Sequence, residues 1–380
     1  MNVVIAPDSF KGSLSAKEIS LIMKKSCLDV FPDAEVILKP MADGGEGTLD
    51  SLLFTTKGKR LHIPCTGPLG EKIKAPVGIL GDGKTAVIEV ASVSGITQVP
   101  EHKRNPYRTT TYGIGQCIQF VLDQGLRNIV IGLGGSATND GGMGMLSALG
   151  AQFFSEDNEK PGMFGYDLLK IARVDLSRLD ERLRHTRILI ASDVRNPLCG
   201  QQGASHVYGP QKGATRDQVL QLDRALDRYS NLLEKQTGIQ AKHTPGAGAA
   251  GGLGFALLSL GAKIESGAEL IASYSHLEET VAGADLVLTG EGQSDRQTFY
   301  GKAPGYVAQL CKKYGVPSIL LSGGIEGEMK DFHQWFTACF SLVNRPMSLT
   351  ESMEHAESLL YDQSLNIFHL IKSMNRGEKR

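Results

Sequence analysis

No excess of charge is present: 40 Lys and Arg stand against 41 Asp and Glu, a formal net charge of −1. That removes the electrostatic case for nucleic acid or an anionic membrane as a partner. Paired cysteines are missing as well. The six, Cys27, Cys65, Cys117, Cys199, Cys311 and Cys339, include no two within four residues, so no zinc-type pair exists. Four lie in apolar or helical runs and read as small buried hydrophobes, which fits a reducing, cytoplasmic setting. The first residues, Met1-Asn-Val-Val-Ile-Ala-Pro-Asp8, lack the basic start and long apolar run of a signal peptide. The longest uncharged stretch, 244–262, carries six glycines in nineteen residues, which reads as a glycine loop entering a core helix rather than a membrane span. The nine histidines are scattered, and there is neither an evident Ser–His–Asp set nor a Gly-x-x-x-x-Gly-Lys-Ser/Thr loop nor a protein-kinase signature.

What is abundant is glycine, 45 of 380 residues, about 12% against a usual ~7%. It is clustered. Gly132 to Met145, GLGGSATNDGGMGM, has six glycines in fourteen residues between an apolar run at 128–131 and a helix-like run at 143–149. Glycine lets a ligand approach the backbone and lets successive N–H groups converge on an anion, most often a phosphate. Gly134, Gly135, Ser136, Ala137, Thr138, Asn139 and Asp140, with Lys212 as a complementary cation, are therefore read as nucleotide-binding.

The rest of the chain reads as strand, loop, helix. Strands are expected at 2–7, 35–41 and 60–65, and again at 285–288, 318–321 and 336–343. Ser15 with Glu18, and Ser348 with Glu351, have capping-box spacing ahead of helices. Three strands at each end suggest half-sheets that complete one another: an α/β fold with a parallel sheet, residues 1–66 plus 284–380, and a second α/β domain inserted at 67–283. The insert begins with hairpin-like alternation turning at Gly81-Asp-Gly83.

Ligands of open parallel sheets bind beyond the C-terminal strand ends. Acidic residues beside glycine or serine fall at such places: Asp8, Asp43, Asp193 and Asp295. Phosphoryl transfer asks for positioning, cations and a carboxylate near the attacking hydroxyl. Asp193 and Asp295 are read as catalytic, Asp193 as the metal ligand and Asp295 as the base, lying in different domains. Asp8, Ser9, Asp43, Gly44 and Gly45 are read as substrate-binding, with Lys11 both substrate-binding and catalytic. A dinucleotide reading competes: Gly132 to Ala137 matches Gly-x-Gly-x-x-Gly/Ala, but Thr138 to Gly142 separates it from the helix. An NAD(P)-dependent hydroxy-acid oxidoreductase is thus the alternative, and a non-catalytic hydroxy-acid sensor a third reading.

Six stretches carry a family resemblance: Ala6 to Ser13, Ala42 to Thr48, Gly134 to Gly142, Gly209 to Gly213, Pro245 to Gly254 and Thr289 to Thr298. Together, in order and across almost the whole chain, they resemble the bacterial glycerate kinases of the type I family. The resemblance implies ATP-dependent phosphorylation of D-glycerate, usually at the 2-hydroxyl; Mg²⁺ is expected from the carboxylates of the glycine-rich strand-end loops. It also implies a Rossmann-like three-layer domain built from both chain ends with a second α/β domain inserted; a homodimer is compatible with it. Thr298-Phe-Tyr-Gly301 departs from the smaller residues that relatives often carry there.

Overall fold

A computed structural model describes residues 1–299 and 301–375; Tyr300, within the departure just noted, lies outside the described residues. Thirteen strands are found among the described residues: β1 (Asn2–Ile5), β2 (Glu35–Leu38), β3 (Lys59–Thr66), β4 (Lys72–Ile79), β5 (Thr85–Glu89), β6 (Asn128–Gly132), β7 (Gln152–Phe154), β8 (Arg173–Asp175), β9 (Arg187–Ala191), β10 (Lys263–Glu265), β11 (Leu286–Ser294), β12 (Ser318–Ile325) and β13 (Ala338–Ser341). The fold is α/β, and the chain divides into two compact units. One comprises residues 1–43, 50–56 and 268 onward. The other comprises 44–49 and 57–267.

The first unit is built on a wholly parallel five-stranded sheet, β13-β12-β11-β1-β2. Counted along this unit alone the order is 2-1-3-4-5, a doubly wound order whose switch point lies between β1 and β11. Val3, Val4 and Ile5 are fully buried, as befits a strand covered on both faces. The helices Ala16–Val30 and Ala356–Asn375 share a core with Val3, Ile5 and Leu288. Ala308, on the helix Ala303–Tyr314, clusters separately with Leu320, Phe332 and Phe336. Ser15 closes the expected capping box with Glu18, and the Ser348 hydroxyl accepts from the Glu351 amide.

The glycine runs that follow the strands expected at 285–288 and 318–321 are strand as well. β11 continues to Ser294 and β12 to Ile325 in unbroken register, Glu291 opposite Ser322. Glycine here permits contact: a Cβ on Gly290 would fall 2.0 Å from the Leu321 carbonyl oxygen, and one on Gly323 would fall 2.4 Å from that of Gly292. Gly290→Ala is accordingly expected to cost about 1–3 kcal/mol, the scale of overpacking, read as a lower urea midpoint at unchanged slope.

The second unit holds a six-stranded sheet, β10-β9-β6-β5-β4-β3, and the small hairpin β7-β8. β10, β9, β6 and β5 are parallel; β4 and β3 run antiparallel to their neighbours. This corrects the expectation for 60–65. That strand does not join β1 and β2 but pairs over its full length with β4, Lys59 opposite Ile79 through Thr66 opposite Lys72. The short link Gly67 to Glu71, closed by the Gly67 amide on the Glu71 carbonyl at 2.7 Å, makes the antiparallel partner the near one. The uncharged stretch 244–262 forms the buried helix Ala249–Ser259, with left-handed turns at Ala250, Gly251 and Gly252. No described helix is long and apolar enough to cross a membrane. Cys27, Cys65, Cys117 and Cys311 are buried.

Candidate functional site

The first unit has a cavity of about 480 Å³ at the C-terminal ends of its central strands. β1 leads into Asp8–Ser13, β11 brings Glu291 to Gln293, and β12 brings Gly323 and Gly324. The first loop is a tight structure: the Phe10 amide donates to the Leu14 carbonyl at 2.8 Å, the Leu14 amide donates back at 3.1 Å, and Gly12 turns the chain at φ +80°. Lys11 is thereby presented at the turn, where its Nζ donates to Asp43 at 3.1 Å.

Asp8 is 5% exposed, and its Oδ1 accepts the Ser9 amide at 2.6 Å. Burial, and next the charge of Asp43, push its carboxyl up to about 7, with a smaller push from Glu291; the Ser9 amide and Lys11 pull the other way. For Lys11, burial opposes the charged form, but the Asp43, Asp8 and Glu291 carboxylates outweigh it and leave the amine above its ordinary value. Because the folded carboxyl of Asp8 binds its proton more tightly than the unfolded one, its contribution to stability is complete below about pH 4 and is lost as pH rises through about 7. Asp8→Asn should therefore melt higher than wild type at pH 8 and alike at pH 3.5, as read by calorimetry across that range.

Glu291 is buried, and its carboxylate gathers the Thr298 hydroxyl at 2.6 Å, the Ser294 hydroxyl at 3.0 Å and the Lys302 amine at 3.3 Å. Lys302 also lies 3.7 Å from Asp295. Asp295 closes its own turn, its Oδ1 accepting the Gln297 amide at 2.7 Å. Glu291 was not among the site residues expected from the sequence; the signal available for it was the run Thr289 to Asp295, in which a strand period carries it through the glycines. Lys302 was read as a loop lysine ahead of a helix, a weaker candidate than Lys11 and Lys212.

The second unit carries the glycine loop and Asp193. Much of the loop's donor capacity is used by the protein itself. The Gly134 amide donates to Gly44, Ala137 to Ser94 and Gly141 to Gly251. Asp140, fully buried, accepts the Gly142 amide at 3.1 Å on one oxygen, and on the other the Gly144 amide at 3.2 Å and the Thr111 amide and hydroxyl at 2.7 and 2.8 Å. Lys212, 3% exposed, donates to the Ser136 hydroxyl at 2.9 Å and the Thr138 carbonyl at 2.7 Å; burial lowers its amine to about 7, partly offset by Asp140. The Asn139 side chain donates to the Ser205 hydroxyl, and the Thr138 hydroxyl lies 3.4 Å from the Ala250 carbonyl. Gly135 is exposed with φ +71°. Gly44 and Gly45 pack on this loop: a Cβ on Gly44 would meet the Ala191 carbonyl at 2.4 Å, and one on Gly134 the Cα of Gly45 at 2.3 Å. Asp193 follows β9, accepts the Gly267 amide at 3.2 Å, and lines a cavity of about 240 Å³ with Arg195, Thr244 and Glu265.

Asp8, Ser9, Lys11, Asp43 and Asp295 thus fall in the first unit, and Gly44, Gly45, Asp193, Lys212 and the 134–140 loop in the second. Among the described residues no group of three or more His, Cys, Asp or Glu is arranged around one metal position. The donors at Asp8, Asp43 and Glu291 are carboxylate oxygens, the type Mg²⁺ takes, one or two at a time, when phosphates and water complete its shell.

The family model for the glycerate kinase family matches residues 3–372. A glycerate kinase of Halalkalibacterium halodurans is 46% identical over 377 residues, 99% of each chain. A glycerate 2-kinase of Escherichia coli K12 is 44% identical over 369 residues, 97% of each. A crystal structure of a candidate glycerate kinase 2 from Salmonella typhimurium LT2 superposes with a TM-score of 0.88 at 40% identity, covering 99% of both chains.

Proposed function

This chain belongs to the glycerate kinase family and is a phosphotransferase, and from that premise we propose that it transfers the γ-phosphoryl group of ATP to the 2-hydroxyl of D-glycerate. The observation that carries the chemical part is the polar lining of the first unit's cavity. There a buried carboxyl with a value near 7, Asp8, stands among Lys11, Asp43, Glu291 and Lys302. A general base works best when its pKa is near the operating pH. In the step, the glycerate oxygen bonds to the γ-phosphorus, the bond from that phosphorus to the β-phosphate bridging oxygen breaks, and ADP leaves. The hydroxyl proton passes to the Asp8 carboxylate. Lys11 holds the glycerate carboxylate, and Lys302 balances charge on the transferred group; preorganised cations of this kind need no reorganisation when charge shifts.

Asp43 and Glu291 are the carboxylates that would hold Mg²⁺ here, and the ion supplies neutralisation of the phosphate oxygens. Asp193 and Asp295, read from the sequence as metal ligand and base, do not line this cavity and accept the Gly267 and Gln297 amides; in this proposal they position their loops. The name glycerate 2-kinase on the Escherichia coli relative supports the 2-hydroxyl. No excess charge points to nucleic acid or membrane, and the partners are glycerate and ATP.

The test is a product assay by phosphorus NMR with D-glycerate, ATP and Mg²⁺. The expected result is 2-phosphoglycerate and ADP in equal amounts. Phosphate at the 3-position overturns the regiochemistry, and NAD(P)⁺ reduction with no ADP formed overturns the kinase reading of the cavity.

A further inference from the structure

The cavity of the first unit is far larger than a three-carbon acid requires, and its lining is of two kinds. At about 480 Å³ it lies in the range, about 300–1,000 Å³, of sites that enclose a drug-sized ligand. Its polar lining comes from Lys11, Lys302 and the carboxylates, and its apolar lining from Leu342, Met347 and Met353, contributed by the segment after β13 and by the helix Leu349–Glu354. The backbone of Gly323 and Gly324 lines it beside Leu342: the Ser341 hydroxyl donates to the Gly323 carbonyl at 3.2 Å and the Leu342 amide to the Ser322 carbonyl at 2.8 Å. A Cβ built on Gly324 meets nothing within 4 Å, so this stretch presents bare backbone to open space.

We propose that this cavity holds the whole phosphoryl donor, with the purine against Leu342 and Met347, the phosphates passing over Gly324, and the γ-phosphate beside Lys302. The proposal rests on the kinase reading above and adds where the nucleoside binds. Three observations converge on it. The cavity lies at the switch point of a doubly wound sheet, where open α/β sheets bind ligands. Flexible methionine side chains and Leu342 suit the faces of a flat ring. The glycine loop of the second unit, by contrast, commits the amides of Gly134, Ala137, Gly141, Gly142 and Gly144 to the protein. The second unit's aromatic cavity, about 550 Å³ beside Tyr107, Phe164 and Tyr166, has Arg108 but no lysine in its lining, and Leu69, Phe164 and Tyr166 lie in connections after the antiparallel strands β3 and β7.

The full chain is photolabelled with 8-azidoadenosine triphosphate and Mg²⁺, with and without excess ATP, and the labelled peptides are identified by mass spectrometry. ATP-competed label between residues 342 and 359 is expected. Label on 105–108, 164–167 or 134–140 overturns the placement. Gly324→Leu, whose backbone conformation suits any residue, is expected to weaken ADP binding in calorimetry about tenfold or more while D-glycerate affinity stays within about twofold. Unchanged ADP affinity in that variant also overturns it. Failure of the kinase reading would instead appear in wild type, as no ADP formed from ATP and D-glycerate.

Discussion

Asp8→Asn is expected to lower kcat by about 10²-fold or more, the scale of general-base catalysis, with KM for D-glycerate changed little and the fold intact. Asn keeps the acceptor for the Ser9 amide and fills the same space, so the loop Asp8–Ser13 stays tied through Phe10 and Leu14. What it removes is the proton acceptor. The pH profile sharpens the test. Wild-type kcat should rise with pH through a value near 7 and then level, because Asp8 must be ionised to accept a proton. The variant should retain only a small rate without that step. Asp295→Asn should lose much less, since its carboxylate serves the turn at Gln297. If Asp8→Asn keeps more than about half of the wild-type rate while Asp295→Asn or Asp193→Asn loses about 10²-fold, the base has been assigned to the wrong carboxyl, and the sequence reading is restored.

A chain ended at Gly283 is expected to lose the first unit while keeping the second. The cut removes β11, β12 and β13, three of the five strands of one sheet, and leaves β1 paired with β2 alone. Two short strands do not hold a stable sheet. The segment 57–267 lies wholly within what remains and has its own continuous core, including Ile88, Ile131, Ile190 and Phe255. Amide exchange should find Ile129 to Ile131 protected as in the full chain and Val3 to Ile5 unprotected. The exposed edge of β1 should make the truncated chain prone to aggregate. Protection of Val3 to Ile5 in the shortened chain would mean that β1 and β2 hold without β11.

What was legible in the sequence was mostly local. The capping box of Ser15 and Glu18 and the hairpin turning near Gly83 are set by residues a few positions apart, and each was read directly. The α/β class was readable because apolar runs and amphipathic helices alternate. The partner of β3 was not, since 60–65 has the composition of a strand in either sheet, and the short Gly67–Glu71 link that sets its pairing with β4 was read as a domain boundary rather than a turn. Glycine was the main source of misreading. In Thr289 to Ser294 and Ser322 to Ile325 it looked like loop, yet its missing side chain is what lets β11 and β12 lie together, and this hid Glu291 inside a strand. In the 132–145 run glycine also serves packing, Gly144 making room for the Thr110 hydroxyl and Gly141 for Tyr229.

The pairing of β1 with β11 joins Val3 to Leu286. During synthesis at about 5–20 residues per second, roughly fifteen seconds to a minute separate the emergence of those two strands from the ribosome. The second unit's last residue, Gly267, emerges nineteen residues before Leu286, about one to four seconds at that rate, so the natural order of folding is middle first, ends last. In the interval the apolar residues of β1 and of the helix Ala16–Val30 have no complete sheet to cover them. A newly made chain therefore carries, for that period, a sticky N-terminal segment tethered to a domain still being made. That makes the first forty residues the part of this protein with most reason to be bound by a chaperone, and it makes slow codons after residue 267 a hazard to its yield rather than a help.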